Sequence, residues 1–230
     1  MSSLSHDTKV ASMFGNIARF YDLLNHGLSL GIDILWRKAL AKSVKPGLVV
    51  DLCAGTLDVA KTIHTLYPKT LIPALDFCPA MLVIGKEKCK NLPGIYPIAS
   101  DAKRIPLKDN CADSVTIAFG IRNVRPRERC YQEILRILKP GGRLCILEFG
   151  SGKERIFGGL YNGYLVHILP IIGRVISKDP SAYTYLAETI LAFPNAKALE
   201  EELLAAHFVN TTYQKLTGGI VCLHTGEKAL

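Results

Sequence analysis

Residues 48–60, LVVDLCAGTLDVA, constrain the fold more than any other part of this 230-residue chain. An apolar β-branched run ends in an acid, Asp51, a turn of small residues containing Gly55 follows, and a helical pattern then begins. This order predicts a strand that runs into a nucleotide-binding turn and then a helix. No Gly-Lys-Ser/Thr sequence follows Gly55, so kinase and NTPase functions are not indicated.

Two further acids follow apolar runs at even spacing: Asp76 and Asp101 each come twenty-five residues after the acid before them. The carboxyl ends of neighbouring parallel strands lie along one edge of a sheet, where such sheets bind ligands. Three carboxylates there suit a ligand with hydroxyl and amino groups better than a polyphosphate. S-adenosylmethionine (SAM) has a ribose diol, an adenine amine and an α-amino group, so we expect it as the ligand. The turn after Asp51, taken alone, would not separate a methyltransferase from a dehydrogenase.

Strand and helix patterns alternate through most of the chain. We predict strands at 48–53, 71–76, 95–99, 113–119 and 143–149, a terminal hairpin from 208–213 and 220–224, and helices at 8–22, 31–43, 57–66, 79–89, 127–138, 183–192 and 196–206. Residues 25–27 are expected to break the first helical region, and residues 139–142, KPGG, to turn into a strand. The alternation predicts an α/β fold of the class I, Rossmann-like methyltransferase type: a mostly parallel seven-stranded sheet with a terminal antiparallel hairpin and an N-terminal helical extension.

The chain is expected to form a single domain over residues 1–230. Residues 1–46 are predicted to be helices that pack on the domain, with a lid over the ligand as the alternative. Residues 153–206 are expected to form a helical insertion that faces the substrate or a membrane. Within it, residues 156–176 are strongly apolar but too interrupted for a membrane span. They predict a buried helix or, alternatively, an apolar cap that grips a greasy substrate or touches a bilayer.

Charge and cysteine usage restrict the partners and the compartment. The net charge of +8 favours an anionic partner, either nucleic acid or a membrane surface, although a merely basic protein would look the same. No two of the seven cysteines have a metal-binding spacing, so we expect no metal site and a reducing cytosol. Cys53, Cys145 and Cys222 fall in apolar runs and are predicted to be small buried side chains. The polar N-terminus shows no secretion signal.

Several motifs resemble one known family over nearly the whole chain, the ubiquinone/menaquinone biosynthesis C-methyltransferases. Its first signature is similar to residues 21–36, YDLLNHGLSLGIDILW, and its second to residues 136–148, RILKPGGRLCILE. Residues 117–124, 186–194 and 216–224 resemble further family blocks, and FGIRN at 119–123 with LTGG at 216–219 discriminates best. Leu57, Asp33 and Gly150 depart from the family's usual glycine, histidine and serine. We expect Leu57 to shift the methionine end of the cofactor.

The resemblance implies a SAM-dependent methyltransferase that converts demethylmenaquinol to menaquinol by methylating a ring carbon. A polyprenyl benzoquinol of ubiquinone biosynthesis is the alternative acceptor, and a non-catalytic scaffold of a quinone-making complex is an alternative of another class. A nucleic-acid methyltransferase is disfavoured because no Asn-Pro-Pro-Tyr motif is present. We expect a cytoplasmic enzyme that associates peripherally with the inner face of the membrane. The oligomeric state, including a homo-oligomer, stays open.

The same resemblance implies roles for individual residues, which join Asp51 as the predicted site. Cofactor contacts are expected from Gly55 and Thr56 to the methionine part, Asp76 to the ribose, Asp101 and Ala102 to the adenine, and Ala118 beside the fourth strand. For Asp101 a turn cap is the structural alternative.

Catalytic roles are expected for three residues. Arg122 would stabilise the developing phenolate by its charge, and Asn123 would orient Arg122 or the substrate. Tyr21 would cover the substrate ring. His26 is a weaker candidate for a base.

Overall fold

The computed structural model describes residues 6–150 and 180–230, and these form one seven-stranded sheet with helices on both faces. The strand order is β3-β2-β1-β4-β5-β7-β6. Strands β1 to β5 are parallel, β7 pairs antiparallel with β5, and β6 pairs antiparallel with β7. The predicted parallel sheet with a terminal antiparallel hairpin is therefore confirmed.

The strand bounds agree with the predicted ones to within three residues, except at the start of β5. The strands are β1 Val49–Leu52, β2 Ile72–Asp76, β3 Ile95–Ala99, β4 Ala112–Ala118, β5 Leu138–Phe149, β6 Val209–Leu216 and β7 Val221–Glu227. The described helices are α1 His6–Ile17, α2 Tyr21–Leu28, α3 Ile32–Ser43, α4 Asp58–Leu66, α5 Pro79–Lys88, α6 Arg127–Ile137, α7 Pro180–Ala192 and α8 Ala196–Ala205.

Alternation along the strands divides the core into two layers. Val50 faces the layer that contains side chains of α6 and α8, whereas its neighbour Val49 faces the layer that contains side chains of α3 and α4. Because successive side chains of a strand point to opposite faces, Asp51 points toward the same layer as Val49. This places one of the three predicted site acids inside the fold.

The N-terminal helical region differs from the prediction in two places. A 3₁₀ turn at Ala18–Phe20 separates α1 from α2, where one helix over 8–22 was expected. The predicted break at residues 25–27 is wrong, since α2 continues to Leu28 and the chain turns at Leu30 and Gly31, both with positive φ. The Gly31 N–H donates to the His26 carbonyl, which is a glycine-based helix end placed four residues later than expected.

Strand β5 begins five residues earlier than predicted. Leu138 already pairs with Ala112 of β4, and the register then shifts so that Ser114 pairs with Arg143. The KPGG segment is therefore a bulge within β5 and not a turn that precedes it. Gly141 has a φ of +71°, which explains why a glycine stands in this bulge.

The apolar segment at 156–176 lies outside the described residues. Among the helices of residues 6–150 and 180–230, none is both long enough and apolar enough to cross a bilayer. Of the predicted insertion at 153–206, the described part consists of α7 and α8.

Candidate active site

A cleft opens at the carboxyl edge of the sheet, where β1, β2, β3 and β4 end. It encloses about 770 Å³ of empty space, including its open mouth. Its lining combines two carboxylates with an apolar, partly aromatic wall. The lining residues are Phe14, Tyr21, Cys53, Gly55, Leu75, Asp76, Phe77, Met81, Ser100, Asp101, Ala102, Lys103, Ala118, Phe119, Gly120, Asn123 and Val124.

Seven of the ten predicted site residues line this cleft. They are Tyr21, Gly55, Asp76, Asp101, Ala102, Ala118 and Asn123. Asp51, Thr56 and Arg122 are buried and are not among the lining residues. The cleft therefore brings most of the predicted residues together, and the other three have different surroundings.

Asp76 joins the first two strand ends. One of its carboxylate oxygens accepts the Gly55 N–H at 2.9 Å, and the other accepts the Cys78 N–H at 2.8 Å. Burial raises the pKa of Asp76, and the N–H groups of Cys78, Gly55 and Phe77 oppose this rise. A carboxylate has about four lone-pair sites, so Asp76 retains acceptor capacity for ligand hydroxyls after these bonds.

Asp101 lies in a turn after β3. Its carboxylate accepts the Lys103 backbone N–H at 2.8 Å and lies 3.6 Å from the Lys103 ammonium. The side chain is half exposed and also lines the cleft. The turn-cap interpretation is therefore confirmed, and the lining position leaves the carboxylate accessible to a ligand.

Asp51 is buried in β1 and faces away from the cleft lining. One carboxylate oxygen accepts the Thr116 hydroxyl at 2.7 Å, whereas the other has no hydrogen-bond partner among the described residues. Burial raises the pKa of Asp51 to about 7, and the bond from Thr116 opposes part of that rise. This carboxyl group therefore keeps its proton to a much higher pH than an ordinary aspartic acid does.

Thr56 is also buried, and its hydroxyl donates to the Asp22 carboxylate of α2. The Lys88 ammonium lies 2.6 Å from Asp22 and 2.5 Å from Asp58, the first residue of α4. These contacts tie the N-terminal helices to the turn after β1. Helix α2 also places Tyr21 above Gly55: a Cβ added to Gly55 would lie 3.9 Å from the Tyr21 ring.

Leu57 does not face the cleft, contrary to the expectation that it would disturb the cofactor's methionine end. Its φ is +67°, and its side chain is fully buried. It fills the space above Gly85 of α5, where an added Cβ would lie 2.4 Å from Leu57 Cγ. A leucine is thus accommodated at a left-handed position because α5 has no side chain opposite it.

Arg122 forms a buried ion pair with Glu148 of β5. Its guanidinium donates to the Glu148 carboxylate at 2.7 Å and to the Phe119 carbonyl at 2.5 Å. Only 5% of the Arg122 side chain and 1% of the Glu148 side chain are exposed. Its charge is therefore matched inside the protein, and the motif did not indicate Glu148 as its partner.

Asn123 lines the cleft beside this ion pair, and its side-chain carbonyl accepts the Tyr185 hydroxyl of α7 at 3.1 Å. Because the carbonyl is engaged there, the orientation of the Asn123 amide is fixed by Tyr185. The sequence pattern did not indicate Tyr185 as a site residue, since it lies 62 positions away and only the fold brings it to Asn123.

His26 and Asp33 are paired outside the cleft lining. The His26 Nδ1 lies 2.7 Å from the Asp33 carboxylate, which also accepts the Ser29 hydroxyl and contacts Arg37. Burial would raise the pKa of Asp33, but the bonds from Ser29 and His26 and the Arg37 charge lower it. Asp33, which stands where the family usually has histidine, is thus stabilised as a carboxylate by Arg37 and by its hydrogen bonds.

All seven cysteines lie in the described residues and none forms a disulfide, and the three predicted to be buried differ in their exposure. Cys145 and Cys222 are buried as expected, whereas Cys53 lines the cleft and has a φ of +55°. Burial raises the pKa of Cys53, so its thiol stays protonated at neutral pH. Within residues 6–150 and 180–230, no group of three or more His, Cys, Asp or Glu side chains is arranged to hold a metal ion.

Solved structures share this architecture. A SAM-dependent methyltransferase from Thermotoga maritima matches with a TM-score of 0.64 at 18% identity, covering 94% of this chain and 99% of that one. Human N-acetylserotonin methyltransferase in complex with SAM matches with a TM-score of 0.63 at 17% identity, covering 90% of this chain and 55% of that one. At these identities the likeness establishes the fold, which is that of class I SAM-dependent methyltransferases.

Similar sequences are more specific. A demethylmenaquinone methyltransferase of Streptomyces avermitilis is 41% identical over 225 residues, which cover 96% of this chain and 95% of that protein. The ubiquinone/menaquinone biosynthesis C-methyltransferase UbiE of Erwinia tasmaniensis is 39% identical, covering 95% and 90%. The model of the ubiE/COQ5 methyltransferase family matches residues 2–228. The chain therefore belongs to the ubiE/COQ5 methyltransferase family.

Proposed function

We propose that the protein is a SAM-dependent C-methyltransferase that converts demethylmenaquinol to menaquinol. The observation that carries this proposal is a single cleft that holds both a carboxylate bound to the glycine turn, Asp76, and an apolar aromatic wall with one amide, Asn123. Relatives named demethylmenaquinone methyltransferase, at about 40% identity over nearly the full chain, support the naphthoquinol as acceptor.

The cleft residues fit SAM. Asp76 has acceptor capacity for the ribose hydroxyls, and Asp101 offers an accessible carboxylate for the adenine amine. Ala102 and Ala118 leave room for flat groups, and the Gly55 backbone would approach the methionine part. When bound, SAM supplies a methyl group that is a good electrophile. Asp51 and Thr56, which do not line the cleft, would support the turn after β1 from below.

The chain's own task is to make a ring carbon of the quinol nucleophilic. Loss of a proton from the neighbouring hydroxyl pushes electron density into the ring, so the developing oxyanion must be stabilised. We assign this role to Asn123, because Tyr185 occupies its side-chain carbonyl and leaves its NH₂ group as the donor. Preorganised donors of this kind typically contribute a hundredfold or more to the rate.

Tyr21 and Arg122 contribute in different ways. Tyr21 covers the cleft from α2, and burial raises the pKa of its hydroxyl, so it stays a neutral donor at physiological pH. Arg122 is paired with Glu148, which neutralises its charge, so its proposed contribution is to hold the Ile121–Asn123 turn against β5. The proton acceptor is water or another base, because an arginine does not deprotonate.

Two further parts of the proposal concern surroundings. A lid within residues 1–46 would act through Tyr21 of α2, which lines the cleft, and the Asp22–Thr56 bond would tie it to the turn after β1. Residues 153–206 would face the isoprenoid tail. A peripheral, cytoplasmic position on the membrane would give access to a bilayer-resident substrate. Basic residues at the surface support this, at about 1 kcal/mol for each well-placed Lys or Arg on an anionic bilayer.

A benzoquinol of ubiquinone biosynthesis is the second candidate acceptor, favoured by the similarity to the Erwinia tasmaniensis enzyme. The test offers chemically reduced demethylmenaquinone and the demethylated benzoquinol in parallel, with SAM labelled in its methyl group. We expect label in menaquinone at a higher kcat/KM than in the benzoquinone. Equal transfer to both would assign a dual acceptor, and SAM binding without transfer to either would refute the proposed function.

A further inference from the structure

We propose that the helix–turn–helix formed by α2 and α3 docks on the surface of an anionic lipid bilayer. The docking surface consists of Leu23, Leu30, Ile34 and Leu35, and we refer to these four residues as the α2–α3 apolar tip. The inference rests on the proposed function, because a quinol with an isoprenoid tail resides in a bilayer and must pass from it into the cleft.

The apolar tip is unusually exposed. The relative exposure is 64% for Leu23, 87% for Leu30, 57% for Ile34 and 65% for Leu35. Leu23 lies on α2, Leu30 lies in the turn between the two helices, and Ile34 and Leu35 lie in the first turn of α3, so three of the four side chains fall within six consecutive residues. Isolated exposed leucines are ordinary on protein surfaces, but a cluster of this kind indicates an interaction site.

The packing of α3 and the backbone conformation at Leu30 hold these side chains toward solvent. The opposite face of α3 buries Trp36, Leu40 and Ala41 in the core, which fixes Ile34 and Leu35 outward. Leu30 stands at the apex with a φ of +52°, a conformation that glycine or asparagine adopts more readily. Leu30 is thus held in a disfavoured backbone conformation with its apolar side chain exposed to solvent.

The charges around the tip select the kind of partner. Arg19, Lys38 and Lys42 are exposed, and Ile34, Lys38 and Lys42 follow one another at helical spacing along α3. The two acids between residues 8 and 50 are not available at this surface. Asp22 pairs with Lys88, and Asp33 is buried beside Arg37.

An apolar tip with cations behind it fits a bilayer with anionic headgroups. The aliphatic side chains would enter the headgroup and acyl boundary, and the lysines would meet the phosphates. A second copy of the chain fits less well. In a two-fold interface the same patch meets itself, so Arg19, Lys38 and Lys42 would face like charges.

The position of the tip agrees with substrate entry. Leu23 follows Tyr21 by two residues on α2, so their side chains leave the helix on nearly opposite sides. Tyr21 lines the cleft, which means that α2 separates the cleft from the proposed membrane surface. A tail leaving the cleft beside α2 would need only the width of one helix to reach lipid.

The experiment measures cosedimentation of the full chain with vesicles of phosphatidylcholine alone or with phosphatidylglycerol. We expect binding to the anionic vesicles and at least a tenfold weaker partition for the variant Leu30→Ser, Ile34→Ser. Lys38→Gln and Lys42→Gln should each weaken binding to anionic vesicles about fivefold. The control variant is Val83→Ser, Leu204→Ser, which changes two other exposed apolar residues, 68% and 52% exposed, and should bind as the wild type does.

Three results would overturn the proposal. They are unchanged partition of the Leu30→Ser, Ile34→Ser variant, an equal loss in the control variant, or a wild-type dimer in sedimentation velocity that this variant abolishes. The last result would make the tip an interface between copies. SAM affinity and methylation of a short-tailed, water-soluble quinol, both without vesicles, should not change in the tip variant. If the wild type does not methylate the short-tailed quinol in that vesicle-free assay, the proposed function is refuted. The cosedimentation result would still decide whether the α2–α3 apolar tip binds the bilayer.

Discussion

Replacing Arg122 distinguishes a structural role of this residue from a direct catalytic one. Replacing it by methionine leaves the Glu148 carboxylate buried, with a hydrogen bond from the Phe149 N–H at 3.0 Å and a long one from the Arg122 backbone N–H. Breaking a buried ion pair on one side typically costs about 3–5 kcal/mol, and these remaining donors favour the lower end. We therefore expect Arg122→Met to lower the free energy of unfolding by about 3 kcal/mol.

The assay is urea unfolding followed by the fluorescence of Trp36, the only tryptophan, which is buried in the core. The control is the double variant Arg122→Met, Glu148→Gln. It leaves no buried charge and should recover most of the lost stability, while turnover stays reduced because Asn123 loses its support. Wild-type stability of Arg122→Met together with intact SAM affinity and collapsed turnover would refute this reasoning and make Arg122 a direct partner of the substrate.

Three further predictions concern single groups. The pKa of Asp51 is raised from 3.8 to about 7, so between about pH 4 and 7 the native state holds a proton that the unfolded state has lost. The free energy of unfolding should therefore fall by about 4 kcal/mol as the pH rises through that window. Asp51→Asn should abolish this fall in urea unfolding measured over a pH series. Gly85→Ala should cost about 1–3 kcal/mol by clashing with Leu57, and the loss should be smaller in a Leu57→Ala background, as a double-mutant cycle would measure. Tyr185→Phe should lower kcat about tenfold at an unchanged KM for SAM, whereas a purely structural tyrosine would change stability and not kcat alone.

The sheet and most of the cleft could be predicted because their signals are local in the sequence. Each parallel strand is an apolar run, and a ligand-facing residue follows directly at its end, as Asp76 and Ala118 do. Parallel topology then brings these ends to one edge without further information. This is why seven predicted site residues line one cleft.

The sequence did not reveal the surroundings of residues whose role depends on contacts between distant parts of the chain. Asp51 stands in the same pattern as Asp76, but the alternation of β1 turns it into the core against Thr116. Arg122 lies in a discriminating motif, yet its partner Glu148 is 26 residues away and consumes its charge. Leu57 looked harmful to the cofactor only because the space above Gly85 cannot be seen in the sequence.

The predicted boundaries of α2 and β5 were wrong for a related reason. Asn25, His26 and Gly27 have a composition typical of a break, but the contacts of α2 with the domain outweigh that weak local preference. The KPGG segment has the composition of a turn, but the pairing of Leu138 with Ala112 keeps it within β5 as a bulge. Tertiary pairing overrides local propensity in both cases.

The most direct test of the central claim is to find where the methyl group goes. The enzyme is given SAM with a trideuterated methyl group and reduced demethylmenaquinone, and the product is then exposed to air and analysed by mass spectrometry and proton NMR. We predict a product that reoxidises to menaquinone and carries a trideuteromethyl group bonded to the ring carbon. A product that resists reoxidation because a hydroxyl has become a methyl ether would contradict the account.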